Sequence, residues 1–326
     1  MLELAFTPQD LAATRLAFSP LWEAVASVRT LQRPAAHALH LPWVTRTQRR
    51  LATSLTDVQP FTSLVPPHPH HLPGFLAPTP TTPTPDLASE LAALRDTPAA
   101  KVRSSIEALR RVHPEPHNIP LADQLTDHPA TGLATLSSAI ETYWTLAIEP
   151  DWTRISSLLE GDVLYRARAM ADGGAQRLLN ELDPAIRWED DVLTVAHPLV
   201  SDARRLEGRG LVLVPSVFVW PRVASKTSQP WQPVLRYPAR GVATLWEQGT
   251  PAPEALRAVV GRSRARLLVE LSAPASTADL ARRTALTPGG VSQHLTVMRD
   301  AGLVVSHRVG RVVLYMRTAL GDALAG

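Results

Sequence analysis

The stretch that most limits what this chain can fold into runs from Ser276 to Tyr315, STADLARRTALTPGGVSQHLTVMRDAGLVVSHRVGRVVLY. Ser276 suits a helix N-cap, and Asp279 three residues on completes a capping box while placing negative charge at the positive helix end. Leu280 and Ala281 face inward, Ala281 being small enough for a second helix to cross closely, and Leu286 plugs the turn. Arg282 and Arg283 stay on the outer side. A second helix starts at Thr287, with Pro288 at its first position, where a missing N–H is no loss. Its three- and four-residue spacing turns Val291, Leu295, Met298 and Gly302 toward the core. Gly289, Ser292, Gln293, Thr296 and Arg299 or Asp300 take the opposite side.

That opposite side is short, polar or flexible, whereas a solvated surface helix more usually carries Glu and Lys. Two glycines in a first turn also cost roughly 1 kcal/mol each in helix propensity when water is the only neighbour. Such a face suits a groove: small residues permit close approach, exposed amides favour phosphate, and Gln293 can read an adenine edge. Beyond Ala301-Gly302, the runs LVVSH and RVVLYM alternate like strands around Val309-Gly310. Arg308 and Arg311 flank the tip of this hairpin, placed to reach phosphate or a narrow minor groove, or else standing as ordinary solvated turn charges.

The series S-T-x-x-L-A-R-R, V-S-x-H-L-x-x-M-R-x-A-G-L-V and R-x-G-R-x-x-x-Y resembles the winged-helix domain of ArsR-type bacterial repressors, from Ser263 to the end. The resemblance implies DNA contacts from Ser292, Gln293 and Thr296 on the recognition helix and from Arg308 and Arg311 on the wing. With the neighbouring positions, the candidate DNA face comprises Thr277, Thr287, Gly289, Gly290, Ser292, Gln293, Thr296, Arg299, Arg308 and Arg311. His294 matches the family's histidine, for which a partly buried, backbone-bonded role is the alternative to DNA contact. Many family members sense metals through a Cys-x-Cys element or through Asp and His on a last helix. This chain has no cysteine, and its tail after Tyr315 has no histidine. Neither metal nor cofactor is expected, so any sensing step differs from those.

Charge agrees with this division. From Pro253 to Gly326 ten arginines stand against five acids, a balance of +5, which leaves 23 bases and 25 acids, or −2, for residues 1–252. The basic excess sits where phosphate would be met. A length of 326 residues suggests two domains with a sizeable core. Lysine appears only at Lys101 and Lys226, which with the abundant Ala and Pro suggests a GC-rich coding sequence. Absence of cysteine and of signal or membrane-spanning patterns points to a cytoplasmic protein; the longest apolar run, LVLVPSVFVW, has ten residues.

The N-terminal part begins with LELAF, alternating like a strand. Helix starts follow at Thr7-Pro8 and Ser19-Pro20, the second carrying Leu21, Val25, Val28 and Leu31 as one stripe. Trp22, Glu23 and Arg29 lie off it, either lining a pocket or packing on the flank. Residues 60–85 hold nine prolines and form an extended loop, with His68, His70 and His71 in it. No acid accompanies those histidines, so a solvated loop is preferred to a metal site. Helical patterns return at 86–95, 99–112, through LATLSSAIETYWTLAI, and from Asp151 to about Met170. Tyr143, Trp144, Tyr165 and Trp22 are a candidate apolar effector set, with core packing as the other reading. From Ile186 the runs IRW, VLTVA, LVLVPSVFVWPRV and VLRYP read as a small antiparallel sheet, ARGVATLWEQG reads as helix again, and Thr250-Pro251-Ala252-Pro253 marks a boundary. The segments FTPQDLAATRLAFSPLWEAVASVRTL, GRGLVLVPSVFVWP and LRYPARGVATLWE also resemble the uncharacterised N-terminal domain found before ArsR-type winged helices.

The expected architecture is mainly α with small antiparallel β elements: a helical N-terminal regulatory or dimerisation domain, 1–252, and a winged helix-turn-helix domain, 253–326. The expected function is sequence-specific DNA-binding transcriptional regulation, with repression implied by the resemblance. A homodimer on an inverted-repeat operator and a small-molecule effector are the expected partners. No nucleophile elbow, phosphate loop or paired-histidine zinc motif is present, so no enzyme is expected. The alternatives are an enzymatic or small-molecule-binding N-terminal domain, and a winged helix used for protein contacts.

Overall fold

A computed structural model describes residues 1–67, 70, 72–112, 119, 121–196, 201–227, 231–246, 254–309 and 312–325. The chain is mainly α-helical with small sheets and divides into two compact units. The first comprises Met1–Asp151 and Ala169–Pro238, the second Trp152–Arg168 and Ala239–Gly326. The loop Thr250-Pro251-Ala252-Pro253, read from the sequence as the boundary, lies outside the described residues; the second unit includes residues from Ala239 on and part of an upstream helix.

The first unit opens with strand β1 (Leu2–Ala5), helix α1 (Pro8–Ala12), β2 (Arg15–Leu16) and α2 (Pro20–Gln32). Thr7 and Asp10 close a capping box on α1, and Ser19 caps α2. Helices α3 (Leu41–Leu51), α4 (Leu55–Thr62), α5 (Leu87–Arg95), α6 (Ala99–Val112), α7 (Ala122–Asp127) and α8 (Pro129–Ala147) follow. Then comes α9 (Glu149–Asn180), longer at both ends than its sequence pattern suggests. Its helical geometry is broken at Gly174, where φ is 67°, a backbone that glycine adopts without steric penalty. Of the histidines in the proline-rich loop, His68 and His71 lie outside the described residues, and the His70 carbonyl accepts from the Arg29 guanidinium at 2.6 Å.

The remaining strands of this unit are β3 (Ile186–Glu189), β4 (Val192–Val195), β5 (Asp202–Arg205), β6 (Val212–Ser216), β7 (Ala224–Lys226) and β8 (Val234–Pro238). They form two four-stranded sheets, ordered β3-β4-β1-β5 and β2-β6-β8-β7. Pairing is mixed and not purely antiparallel as the sequence suggested: β1 runs parallel to β5, and β6 parallel to both β2 and β8. The continuous apolar burial of β6 fits a strand covered on both faces. Leu213, Leu235 and Tyr237 enter a core with Leu2, Leu4, Phe6 and Trp188, while Val212, Val214 and Val234 enter a smaller one with Ala17. Among the described residues after Pro238, where a helix is expected, stands a short 3-10 turn, Val242–Thr244, entered through Gly241 at φ 78°; residues 247–250 lie outside the described residues.

Helix α2 is buried around most of its circumference, Trp22, Glu23 and Arg29 included. Glu23 Oε2 accepts from the amides of Val217 and Phe218 at 3.0 and 3.3 Å, and Trp22 Nε1 donates to Ser216 Oγ at 3.0 Å. Glu90 on α5 accepts from the Ser19 hydroxyl at 2.6 Å and from the Leu21 amide at 2.8 Å. The buried Arg236 guanidinium lies over the Trp22 ring, 4.1 Å from its centroid. Burial pushes the carboxyls of Glu23 and Glu90 each up to about 7 despite the attraction of Arg236.

The second unit contains the middle of α9, then α10 (Glu254–Val260), α11 (Arg262–Glu270), β9 (Ala275–Ser276), α12 (Thr277–Thr284) and α13 (Pro288–Asp300). Strands β10 (Val304–Val309) and β11 (Val312–Arg317) and helix α14 (Ala319–Ala325) complete it. Its core joins Leu267, Leu268, Leu280, Val291, Leu295, Met298, Leu303 and Val304. Two glycines permit close packing here. A Cβ on Gly161 would lie 2.6 Å from Pro274 Cβ, and one on Gly321 would lie 2.1 Å from the Leu303 carbonyl oxygen.

Candidate nucleic-acid interface

The interface is built on two capped helices and a three-stranded sheet ordered β10-β11-β9. At the start of α12 the Ser276 hydroxyl accepts from the Asp279 amide at 3.2 Å, and Asp279 Oδ2 accepts from the Ser276 amide at 3.3 Å. Arg282 pairs with the same carboxylate from the exposed side. Leu280 and Ala281 are buried, as their inward positions require. The turn that follows contains Ala285 at φ 54°, a left-handed residue without glycine's freedom. Arg266 steadies this turn by donating to the Arg283 carbonyl at 3.0 Å.

Thr287 caps α13, its Oγ1 accepting from the Gly290 amide at 3.2 Å, with Pro288 in the first turn. The cap uses the Gly290 N–H and Pro288 has none, leaving Gly289 as the first-turn amide that the helix itself does not satisfy. Val291, Leu295 and Met298 are fully buried and fix the rotation of α13. On the opposite side Gly289, Ser292, Gln293, Thr296 and Arg299 are exposed together. A Cβ on Gly289 would meet no atom within 4 Å. The Thr296 hydroxyl donates to the Ser292 carbonyl at 3.0 Å, so its oxygen faces outward as an acceptor. Arg299 is 3.6 Å from Asp300, an exposed pair that leaves the guanidinium available to a phosphate. His294 is half-buried.

Two positions differ from the sequence pattern. Gly302 is not a core residue: it is exposed at φ 71° and ends α13 in the left-handed conformation that suits glycine. Val297 was not singled out, yet it is 46% exposed one turn beyond Gln293. Its signal is a β-branched apolar residue standing off the buried stripe.

The wing pairs antiparallel from Val304↔Arg317 to Val309↔Val312. Arg308 is exposed opposite Val313, near the end of the ladder, while Arg311 lies outside the described residues. The ladder continues to β9 through Leu314↔Ser276, so the wing is joined to the residue that caps α12. Thr277, half-buried, is the first residue of that helix. Caps, buried stripe and sheet thus gather Thr287, Gly289, Gly290, Ser292, Gln293, Thr296 and Arg299 on one helix and Arg308 on the adjoining hairpin.

Trp22 is buried under Arg236, and Tyr143 shares a 2.7 Å hydrogen bond with Ser27 Oγ and packs edge-on against Phe61. Trp144 is also buried, and Tyr165 belongs to the second unit, with Arg240 3.6 Å from its ring centroid.

Comparison with known proteins adds two matches. Residues 90–243 match the model of a family of unknown function (DUF5937), and residues 262–307 match the model of a helix-turn-helix domain. No curated protein and no solved structure matches the chain. The matched helix-turn-helix segment contains α11, α12, α13 and most of β10, the elements that carry the exposed face. The chain therefore joins a segment similar to a family of unknown function (DUF5937) to a C-terminal helix-turn-helix domain, the architecture of a DNA-binding transcription regulator.

Proposed function

We propose that the protein is a sequence-specific repressor of the ArsR type, acting by binding and not by catalysis. It works in the cytoplasm as a homodimer on an inverted-repeat operator. The observation that carries this reading is the outward face of α13, where Gly289, Ser292, Gln293, Thr296 and Arg299 are exposed with only Asp300 as an acid beside them. Gln293 reads an adenine edge, Val297 meets a thymine methyl, and Arg299 with Arg308 and Arg311 contacts phosphate or minor groove. One such helix spans too few base pairs for selectivity, and two-fold pairing doubles the site. Occupancy of the operator blocks transcription, and a small molecule bound by the N-terminal part changes the spacing of the two recognition helices.

Selection of duplexes from a random pool by the purified full chain tests this. The expected result is an enriched inverted repeat whose preference at one base pair in each half-site is relaxed by Gln293→Ala. A pool that stays random after repeated selection would contradict sequence-specific binding.

A further inference from the structure

We infer that the groove between the ends of α2, α3 and α4 is the ligand site of the N-terminal unit, and that it takes an uncharged, partly apolar small molecule carrying hydrogen-bonding groups. The groove has a volume of about 590 Å³, within the range of roughly 300–1,000 Å³ usual for small-molecule sites. Val28, Leu51 and Val58 form a buried apolar floor, and Leu55, Gln48 and Gln59 form an exposed rim.

Among the described residues no charged side chain lines it, although the chain carries 33 basic and 30 acidic residues. Two arginines of α3, Arg46 and Arg50, lie 3.5 and 3.7 Å from Asp151 and contribute nothing to the lining. An ionic ligand would lose water here without gaining a counter-charge, so the site selects against it.

The polar part of the lining is made of amides and hydroxyls. Gln32 is fixed by donating to the Val65 carbonyl at 2.7 Å. Thr56, Thr62 and Ser63 add hydroxyl-bearing side chains to the lining, each able to donate and to accept. On the rim the Gln48 and Gln59 amides carry both donors and acceptors. The ligand chemistry that fits is a neutral body with both a donor and an acceptor.

This inference deepens the proposed sensing role but is tested without DNA, so either reading can fail while the other stands. The probe is Nile red, a neutral apolar dye that brightens on leaving water, titrated against the full chain. Leu55→Glu and Gln59→Glu each place a carboxylate on the exposed rim, where folding tolerates change, and Ala134→Glu on the exposed side of α8 is the control. Saturable binding of the dye is expected, weakened at least about tenfold by each rim variant and unaltered by the control. Non-saturable binding, or rim variants that bind as the native chain does, would overturn the site. Tighter binding of an anionic naphthalene sulfonate dye, lost in the same variants, would overturn the assigned ligand chemistry.

Discussion

At Gly289 a methyl group would meet no atom within 4 Å, and the position does not require a left-handed backbone. In the free protein glycine is then the weaker helix former, and alanine should stabilise α13 by about 0.5–1 kcal/mol. The glycine has a purpose if a phosphate backbone comes within contact distance. Gly289→Ala is therefore expected to raise resistance to denaturant while weakening duplex binding; unchanged binding would remove the close-approach role. Ala285 presents the reverse case, since its left-handed φ of 54° is unfavourable for any residue with a Cβ. Ala285→Gly should stabilise the second unit by about 1 kcal/mol, read as a shift in denaturant midpoint, and should leave DNA selectivity unaltered.

At the scale of elements, the caps were legible because each is a local pattern: Thr7 with Asp10, Ser276 with Asp279, and Thr287 before Pro288 all form as their spacing implies. The buried stripe of α13 was legible for the same reason. What the sequence does not display is anything closed by distant chain. Helix α2 reads as amphipathic, yet Glu23 and Trp22 bond to residues of the segment 216–218 and are buried with it. The parallel pairing of β6 with β2 and β8 is likewise settled by which strands become neighbours, a matter on which strand composition is silent. The groove of the N-terminal unit escaped notice because its lining is an ordinary mixture of Leu, Val, Thr and Gln drawn from three helices.

The buried carboxyls make a prediction at this scale. Because Glu23 and Glu90 titrate near 7 when folded, against the ordinary range near 4.5, the folded chain holds protons that the unfolded chain releases between those values. Their contribution to stability is therefore greatest below that window and declines as pH rises through it, by up to about 1.4 kcal/mol per pH unit for each group. Burial depresses the His40 imidazole to about 4, and the neutral histidine acts in the opposite sense, so the native slope alone is not decisive. Denaturant unfolding of Glu90→Gln between pH 5 and pH 8 should show a smaller loss of stability with rising pH than the native chain. An identical slope would mean that Glu90 is ionised throughout.

For the whole molecule, the proposed two-fold operator requires a two-fold protein. Light scattering of the full chain should give the mass of a dimer, independent of DNA, and a monomer at all attainable concentrations would remove the inverted-repeat reading. The basic excess of residues 253–326 over residues 1–252 is legible in composition, since arginines concentrate after Pro253. The more basic consequence, contact between the α13 and wing surface and duplex DNA, is tested most directly by the salt dependence of binding. The full chain and its Arg308→Ala/Arg311→Ala variant are titrated with a labelled random-sequence duplex from about 50 to 200 mM salt. The native affinity should fall linearly on logarithmic axes, and the variant should bind more weakly with a slope reduced by about one for each lost phosphate contact. Absence of binding at the lowest salt, or identical slopes for the two proteins, would contradict it.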